Sequence, residues 1–320
     1  MAYPHGGSAP TVMSASPFTV SDEVRSAVDL GRPVVALEST IFTHGLPRPR
    51  NLQVALEAEE QLRAAGVQPA TIGIFDGQAV VGLSAEQITR LSRDDEAAKV
   101  SVRDLPYAAS AGLSGGTTVA ATSFLAHRAG VGVFATGGLG GVHRGAATTF
   151  DESADLTTLA KTPVLVVSAG VKSILDVGAS LERMETLSLT VVGYGTRRYP
   201  GFYVADSGFT VEHVVDTPDQ VADLIRARDA FGIDSAILLA LPVPAGQQLA
   251  ADEHAAVLQQ ALDAAQTANI AGHDATPFLL DYIQRATGGR SLDVNVAVYR
   301  NNVGLAAEIA ISVAKQPRHP

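Results

Sequence analysis

From about Val20 onward the chain alternates short, wholly apolar runs with segments of helical spacing, and this alternation restricts the fold more than any other feature. "PVVALES" (33–39), "VGVFATGG" (131–138), "VLVVSAG" (164–170), "LTVVGYG" (189–195) and "SAILLALPV" (235–243) read as strands buried on both faces. "NLQVALEAEEQLRAAG" (51–66) places Leu52, Ala55, Ala58 and Leu62 at helical spacing and stops at Gly66. "ATIGIFDGQAVVGL" (70–83) predicts a hairpin turning at Asp76–Gly77, and Ser84 with Gln87 forms a capping box for the next helix. Further helices are expected over 116–130, 172–186, 217–232, 250–269, 276–289 and 294–316. Buried strands alternating with helices imply a three-layer α/β/α domain with a mostly parallel or mixed central sheet. We expect one such domain over 20–320, preceded by a loose Pro-, Gly- and Ser-rich leader over 1–19. Ligands of such sheets bind outside the carboxyl ends of the strands, where the polar and glycine-rich residues of this chain fall.

Composition narrows the function. A net charge of −10 argues against a nucleic-acid or anionic-membrane surface, although an anionic small molecule could still bind locally. With no cysteine, thiolate nucleophiles, disulfides and Cys-ligated metal centres are excluded. No apolar run approaches the ~20 residues that span a bilayer, and the N-terminal stretch lacks the pattern of a secretory signal. A cytoplasmic enzyme or binding protein is the expectation.

Five stretches could carry chemistry. In "ATGGLGGVHRG" (135–145) the glycines resemble a dinucleotide fingerprint, but His143 stands where the third glycine belongs. The stretch is either a tight glycine turn or an anion-facing loop with His143 and Arg144 as donors. Gly115–Thr118 in "SGGTTVAAT" lies at an expected helix start, where free N–H groups could hold a phosphate or Ser/Thr could simply cap. "FDESADL" (150–156) brings Asp151, Glu152 and Asp155 together, as a solvated acidic loop or a hard-cation site. Glu38 closes a buried strand, either paired structurally or acting as an acid/base with a raised pKa. Lys172 stands where the strand 164–170 hands over to an expected helix. The helix dipole and burial would both favour its neutral amine, the form a Schiff-base nucleophile needs. A snorkelling lysine, or one paired with Asp176, is the simpler alternative.

Taken together and in this order, "ALESTIFTHGLPRPRN", "KVSVRDLP", "SGGTTVAAT", "FATGGLGGVHRGAATTFDESADL", "SAGVKSILDVGASLE", "VVGYG", "TPFLL" and "SLDVNVAVYRNN" resemble the pseudouridine-5′-phosphate glycosidases, the indigoidine-synthase-A-like family. The resemblance runs from about Val34 to Asn302. It implies reversible cleavage of the C–C glycosidic bond of pseudouridine 5′-phosphate to uracil and ribose 5-phosphate. It gives Lys172 the Schiff base with ring-opened ribose, Glu38 the proton donor/acceptor and Asp151 a divalent metal, usually Mn²⁺. It places Lys99, Val119, Thr136, His143, Ser153, Ala154, Asp155 and Asn295 around the sugar phosphate or base. It further implies a homotrimer and a separate pseudouridine kinase in the pathway. Val102, Arg197, Arg198 and Gly201 depart from the family pattern. Two other readings are a related C-glycosidase acting on another base in a pigment or secondary-metabolism pathway, and a non-catalytic sugar-phosphate-binding protein. A dinucleotide-dependent oxidoreductase is disfavoured by the broken fingerprint at His143.

Overall fold

The computed structural model describes residues 16–270 and 275–315. Residues 1–15 of the expected leader lie outside the described residues. Phe18 and Thr19, also assigned to it, instead form strand β1 (Phe18–Val20). The other strands are β2 (Val34–Leu37), β3 (Gln68–Phe75), β4 (Gln78–Val81), β5 (Ala98–Val100), β6 (Gly115–Thr117), β7 (Val133–Ala135), β8 (Leu165–Ser168), β9 (Thr190–Tyr194), β10 (His213–Val215) and β11 (Ile237–Ala240). The helices are α1 (Asp22–Asp29), α2 (Arg50–Ala64), α3 (Ala85–Arg93), α4 (Leu105–Ala111), α5 (Val119–Arg128), α6 (Ala146–Thr149), α7 (Ala154–Leu159), α8 (Val177–Thr186), α9 (Pro218–Ala230), α10 (Ala251–Thr267), α11 (Ala275–Ala286) and α12 (Arg290–Lys315). No helix among the described residues is long and apolar enough to cross a membrane.

The sheet runs β1-β4-β3-β2-β7-β8-β11-β9-β10, with β6 branching from β3 and carrying β5. Pairing is antiparallel only where β3 meets β4 and β6. The sheet is therefore mixed and mostly parallel, as the strand–helix alternation requires. Both faces are buried, and alternate residues show it. Val34 and Ala36 of β2, and Val166 of β8, face one apolar core; Val35, Leu37, Leu165 and Val167 face the other. Leu125 of α5, Leu156 of α7 and Met184 of α8 belong to the first core, while Leu62 of α2, Val221 of α9 and Val303 of α12 belong to the second. Three layers follow directly from this period-2 division.

Local signals worked where their chemistry is strong. The hairpin β3–β4 turns at Asp76–Gly77, both with positive φ, and the Ser84–Gln87 capping box forms. Two expected helix starts move. Gly115–Thr117 form β6, and α5 begins only at Val119, with Thr118 as its N-cap. Gly115 can pair so closely with β5 because a Cβ there would stand 2.2 Å from the Ala98 carbonyl oxygen. Likewise α8 begins at Val177, capped by Asp176, whose carboxylate accepts from the Ala179 N–H at 2.9 Å. Lys172 consequently lies in the turn after β8 and not at a helix N-terminus, so the dipole argument does not apply to it.

Candidate active site

Three neighbouring parallel strands, β2, β7 and β8, end side by side, and each delivers a polar group at its carboxyl end. Glu38 follows β2, Thr136 follows β7, and Lys172 sits in the turn after β8. Glu38 is buried, 7 % exposed, and accepts hydrogen bonds from the Thr136 and Thr40 hydroxyls. Burial pushes its carboxyl up from the usual range; the Lys172 charge, the largest opposing influence, and the two hydroxyls pull it back. Glu38 is thus buried near enough to the partly buried Lys172 for its charge to act on the carboxyl.

The Lys172 turn is held by its backbone. The Lys172 N–H donates to the Leu139 carbonyl at 3.0 Å, and the Val171 N–H to the buried Tyr199 hydroxyl at 3.1 Å. Bridges between Leu139 and Val171, Val142 and Asp176, and Val142 and Glu152 lay the glycine-rich stretch against both the lysine turn and the acidic stretch. Within 135–145 the glycines make room for different neighbours: Gly140 for Ser153, Gly141 for Ser180 and Gly138 for an aromatic ring. A Cβ on Gly138 would stand 2.6 Å from the Phe202 ring, and one on Gly170 would stand 2.8 Å from the Tyr199 ring. These glycines give rings access to the backbone of the loops that carry Thr136 and Lys172.

Asp155 is not free to ligate a cation. It is buried, and its carboxylate accepts from the Ala120 N–H at 2.9 Å and the Gly140 N–H at 2.8 Å. It pins the start of α5 to the glycine loop. Thr118 accepts from Ala121 N–H, so of the first N–H groups of α5 only that of Val119 is engaged by neither side chain. Lys99, on β5, belongs to the same charge cluster. Desolvation and then the Lys172 charge lower its pKa, opposed by Asp155 and Glu38. Ser153 caps α7, accepting from the Asp155 N–H at 3.2 Å, and Ala154 is the first residue of that helix. Asn295 lies within α12, and its Oδ1 is 3.5 Å from where a Gly137 Cβ would stand.

Glu152 pairs with Arg183 at 2.9 Å, leaving Asp151 with His143, whose Nδ1 is 3.8 Å from its carboxylate. No group of three or more His, Cys, Asp or Glu residues suited to a metal occurs among the described residues. With Asp155 and Glu152 committed elsewhere, the donor set fits only a cation held by Asp151, with water and substrate oxygens completing the shell, the mode that hard divalent ions accept.

The structure also adds residues that sequence reasoning missed. Thr40 bonds Glu38 from two positions away. Buried Asn302 donates to the Thr136 and Gly137 carbonyls at 2.7 and 3.3 Å, fixing the loop that presents Thr136. His44, in a π-helical turn (Ile41–Gly45), has its pKa lowered by burial and by Lys99. Such turns gather at functional sites, and this was the one available signal. Phe202 has φ +63°, strained for a bulky residue and invisible to periodicity. The departures Arg197 and Arg198 are exposed and engaged elsewhere, Arg197 with the Glu212 carbonyl and Arg198 with Asp206.

With this geometry in place, comparison with known proteins is informative. The profile of the family described as "Indigoidine synthase A like protein" matches residues 23–312. A protein of Saccharopolyspora erythraea named pseudouridine-5′-phosphate glycosidase is 64 % identical over 295 residues, covering 92 % of this chain and 97 % of its own length. One of Streptomyces griseus with the same name is 55 % identical, covering 92 % of each chain. Among solved structures, a prealnumycin C-glycosynthase in complex with ribulose 5-phosphate superposes with a TM-score of 0.86 at 34 % identity, covering 93 % of this chain and 97 % of the other. An indigoidine synthase A-like protein of Thermotoga maritima gives 0.84 at 35 %, with the same coverage.

Proposed function

The chain belongs to the indigoidine synthase A-like family, as an enzyme of the pseudouridine-5′-phosphate glycosidase kind, and from that premise we propose that it reversibly cleaves pseudouridine 5′-phosphate to uracil and ribose 5-phosphate. One observation supports this most: buried Glu38, after β2, and Lys172, after β8, stand at the carboxyl ends of parallel strands separated only by β7.

Carbon C5 of uracil is a poor leaving group, so protonation of an exocyclic atom, sufficient for nitrogen or oxygen glycosides, does not release it. In our reading the Lys172 amine attacks C1′, and the ring oxygen departs and takes a proton, opening the ribose. The nitrogen lone pair then forms C=N to C1′ as the C1′–C5 bond breaks towards C5. Glu38, its carboxyl pKa pushed up by burial, delivers the proton that C5 needs. Water adds to the iminium and frees ribose 5-phosphate, regenerating the amine. Lys99, His143 and the Val119 N–H would take the phosphate, Thr136 would orient Glu38, and Ser153, Ala154, Asp155 and Asn295 would line the sugar. Asp151 would hold a divalent cation such as Mn²⁺, which supplies charge neutralisation beside the phosphate.

The C-glycosynthase likeness favours one second reading, bond formation to a different base. Arg197 and Arg198, two of the departures from the family pattern, are exposed and engaged with the Glu212 carbonyl and with Asp206. By the same resemblance the enzyme works as a cytoplasmic homotrimer on substrate supplied by a separate pseudouridine kinase. Uracil release, followed with and without Mn²⁺, tests the proposal: pseudouridine 5′-phosphate should be turned over, and absence of release under both conditions would refute it.

A further inference from the structure

On the side of α12 opposite Asn295, a cavity of about 630 Å³ opens between that helix, the start of α2 and the loop after β11. No residue assigned to the reaction site lines it. Its walls bring in Arg50, Arg290, Arg300, Asp293, Gln247 and Asn301. Two of the arginines are committed, Arg290 to Glu253 and Arg300 to Glu57. Arg50 is different. Its nearest carboxylate, Asp293, is 3.8 Å away, beyond hydrogen-bond reach. Its Nε is shut off from solvent with no partner, and its guanidinium makes no hydrogen bond among the described residues. The side chain as a whole is 38 % exposed and lines the cavity, so its N–H groups lie open to an acceptor there.

The setting supplies a second reason. Arg50 is the first residue of the fifteen-residue α2, whose N-cap, Pro49, makes no side-chain cap bond and whose first turn contains no acidic residue. The positive end of the helix and the guanidinium therefore reinforce each other, offset by Asp293 and by the charge of Glu57. The volume is that of a small-molecule site, roughly 300–1,000 Å³, and far exceeds a bare anion. Gln247 and Asn301 provide amides for the rest of such a molecule.

We propose that this cavity is a second ligand site, distinct from the reaction centre, that binds an oxyanion, phosphate or carboxylate, borne on a small polar molecule and held by Arg50. Asp293 is the competing negative charge. Calorimetric titration of the full chain with inorganic phosphate, citrate and ribose 5-phosphate tests it. At least one of the three should bind at a site that Arg50→Gln weakens about tenfold or more, with turnover unchanged. Binding by phosphate or by citrate identifies which oxyanion is preferred. Asp293→Asn should tighten the same site, which keeps the test decisive if Arg50→Gln folds poorly. If the reaction proposed above is wrong, ribose 5-phosphate loses only its Arg50-independent site. Absence of any binding that responds to either substitution would overturn the second site.

Discussion

Glu38 is buried at a cost to its carboxylate, and the acid/base role we propose for it would use that cost. Its folded pKa is raised, so the carboxylate is disfavoured inside the protein, and the residue's contribution to stability is greatest below the unfolded value of 4.5 and declines as pH rises through the folded value. Glu38→Gln should therefore raise the melting temperature at pH 7 relative to the parent, with the gain vanishing towards pH 4. It should also lower kcat by about 10²–10⁴, the usual worth of a positioned acid/base. A variant less stable at pH 7 than at pH 4, relative to the parent, would contradict this account of Glu38. The residue was legible as an acid/base candidate because a carboxylate ends an apolar strand; its partners were not. Thr136 lies 98 positions away and Asn302 lies 166 from Thr136, and only the sheet order brings them together.

At the scale of elements, the segment after β9 acts as a brace. Tyr199 packs on Gly170 and accepts from Val171 N–H, while Phe202 packs on Gly138, so one stretch fixes the loops after both β7 and β8. Gly138→Ala would force a Cβ to 2.6 Å from the Phe202 ring. Overpacking of this kind costs about 1–3 kcal/mol. The melting temperature should fall by roughly 2–4 °C for each kcal/mol, and kcat should fall with it. Adding Phe202→Leu should recover part of both losses, and strict additivity of the two substitutions would contradict the brace. The five apolar runs were readable as strands because four of them are buried on both faces and β9 is buried in part. The strands β1, β5, β6 and β10 are three residues long and, unlike the equally short β7, lie in no longer apolar run, so no pattern registers. The misplacement of Lys172 has the same origin: "KSILDVG" has helical composition, but the bridges of Leu139 to Val171 and Val142 to Asp176 use that backbone in a turn.

For the whole molecule, the net charge of −10 repels an anionic substrate, so in the proposed reaction the phosphate would rely on a local cluster, for which we propose Lys99, His143 and the α5 terminus. Charge-assisted hydrogen bonds contribute about 1.5–3 kcal/mol each. Unphosphorylated pseudouridine should accordingly show kcat/KM lower by orders of magnitude, and equal values for the two substrates would remove the phosphate role. Chelation should abolish turnover and Mn²⁺ restore it, whereas Asp151→Ala should not be rescued at the same Mn²⁺ concentration; full activity of metal-stripped protein would exclude the cation. The central claim is the covalent one, and it has a direct measurement. The full chain is treated with ribose 5-phosphate and borohydride, weighed by mass spectrometry and mapped by peptide. The account predicts one reduced sugar-phosphate adduct on Lys172, absent from Lys99, Lys161 and Lys315, lost in Lys172→Ala and Lys172→Arg, and retained in Glu38→Gln. An adduct mapping to another lysine, or substantial turnover by Lys172→Ala, would contradict it.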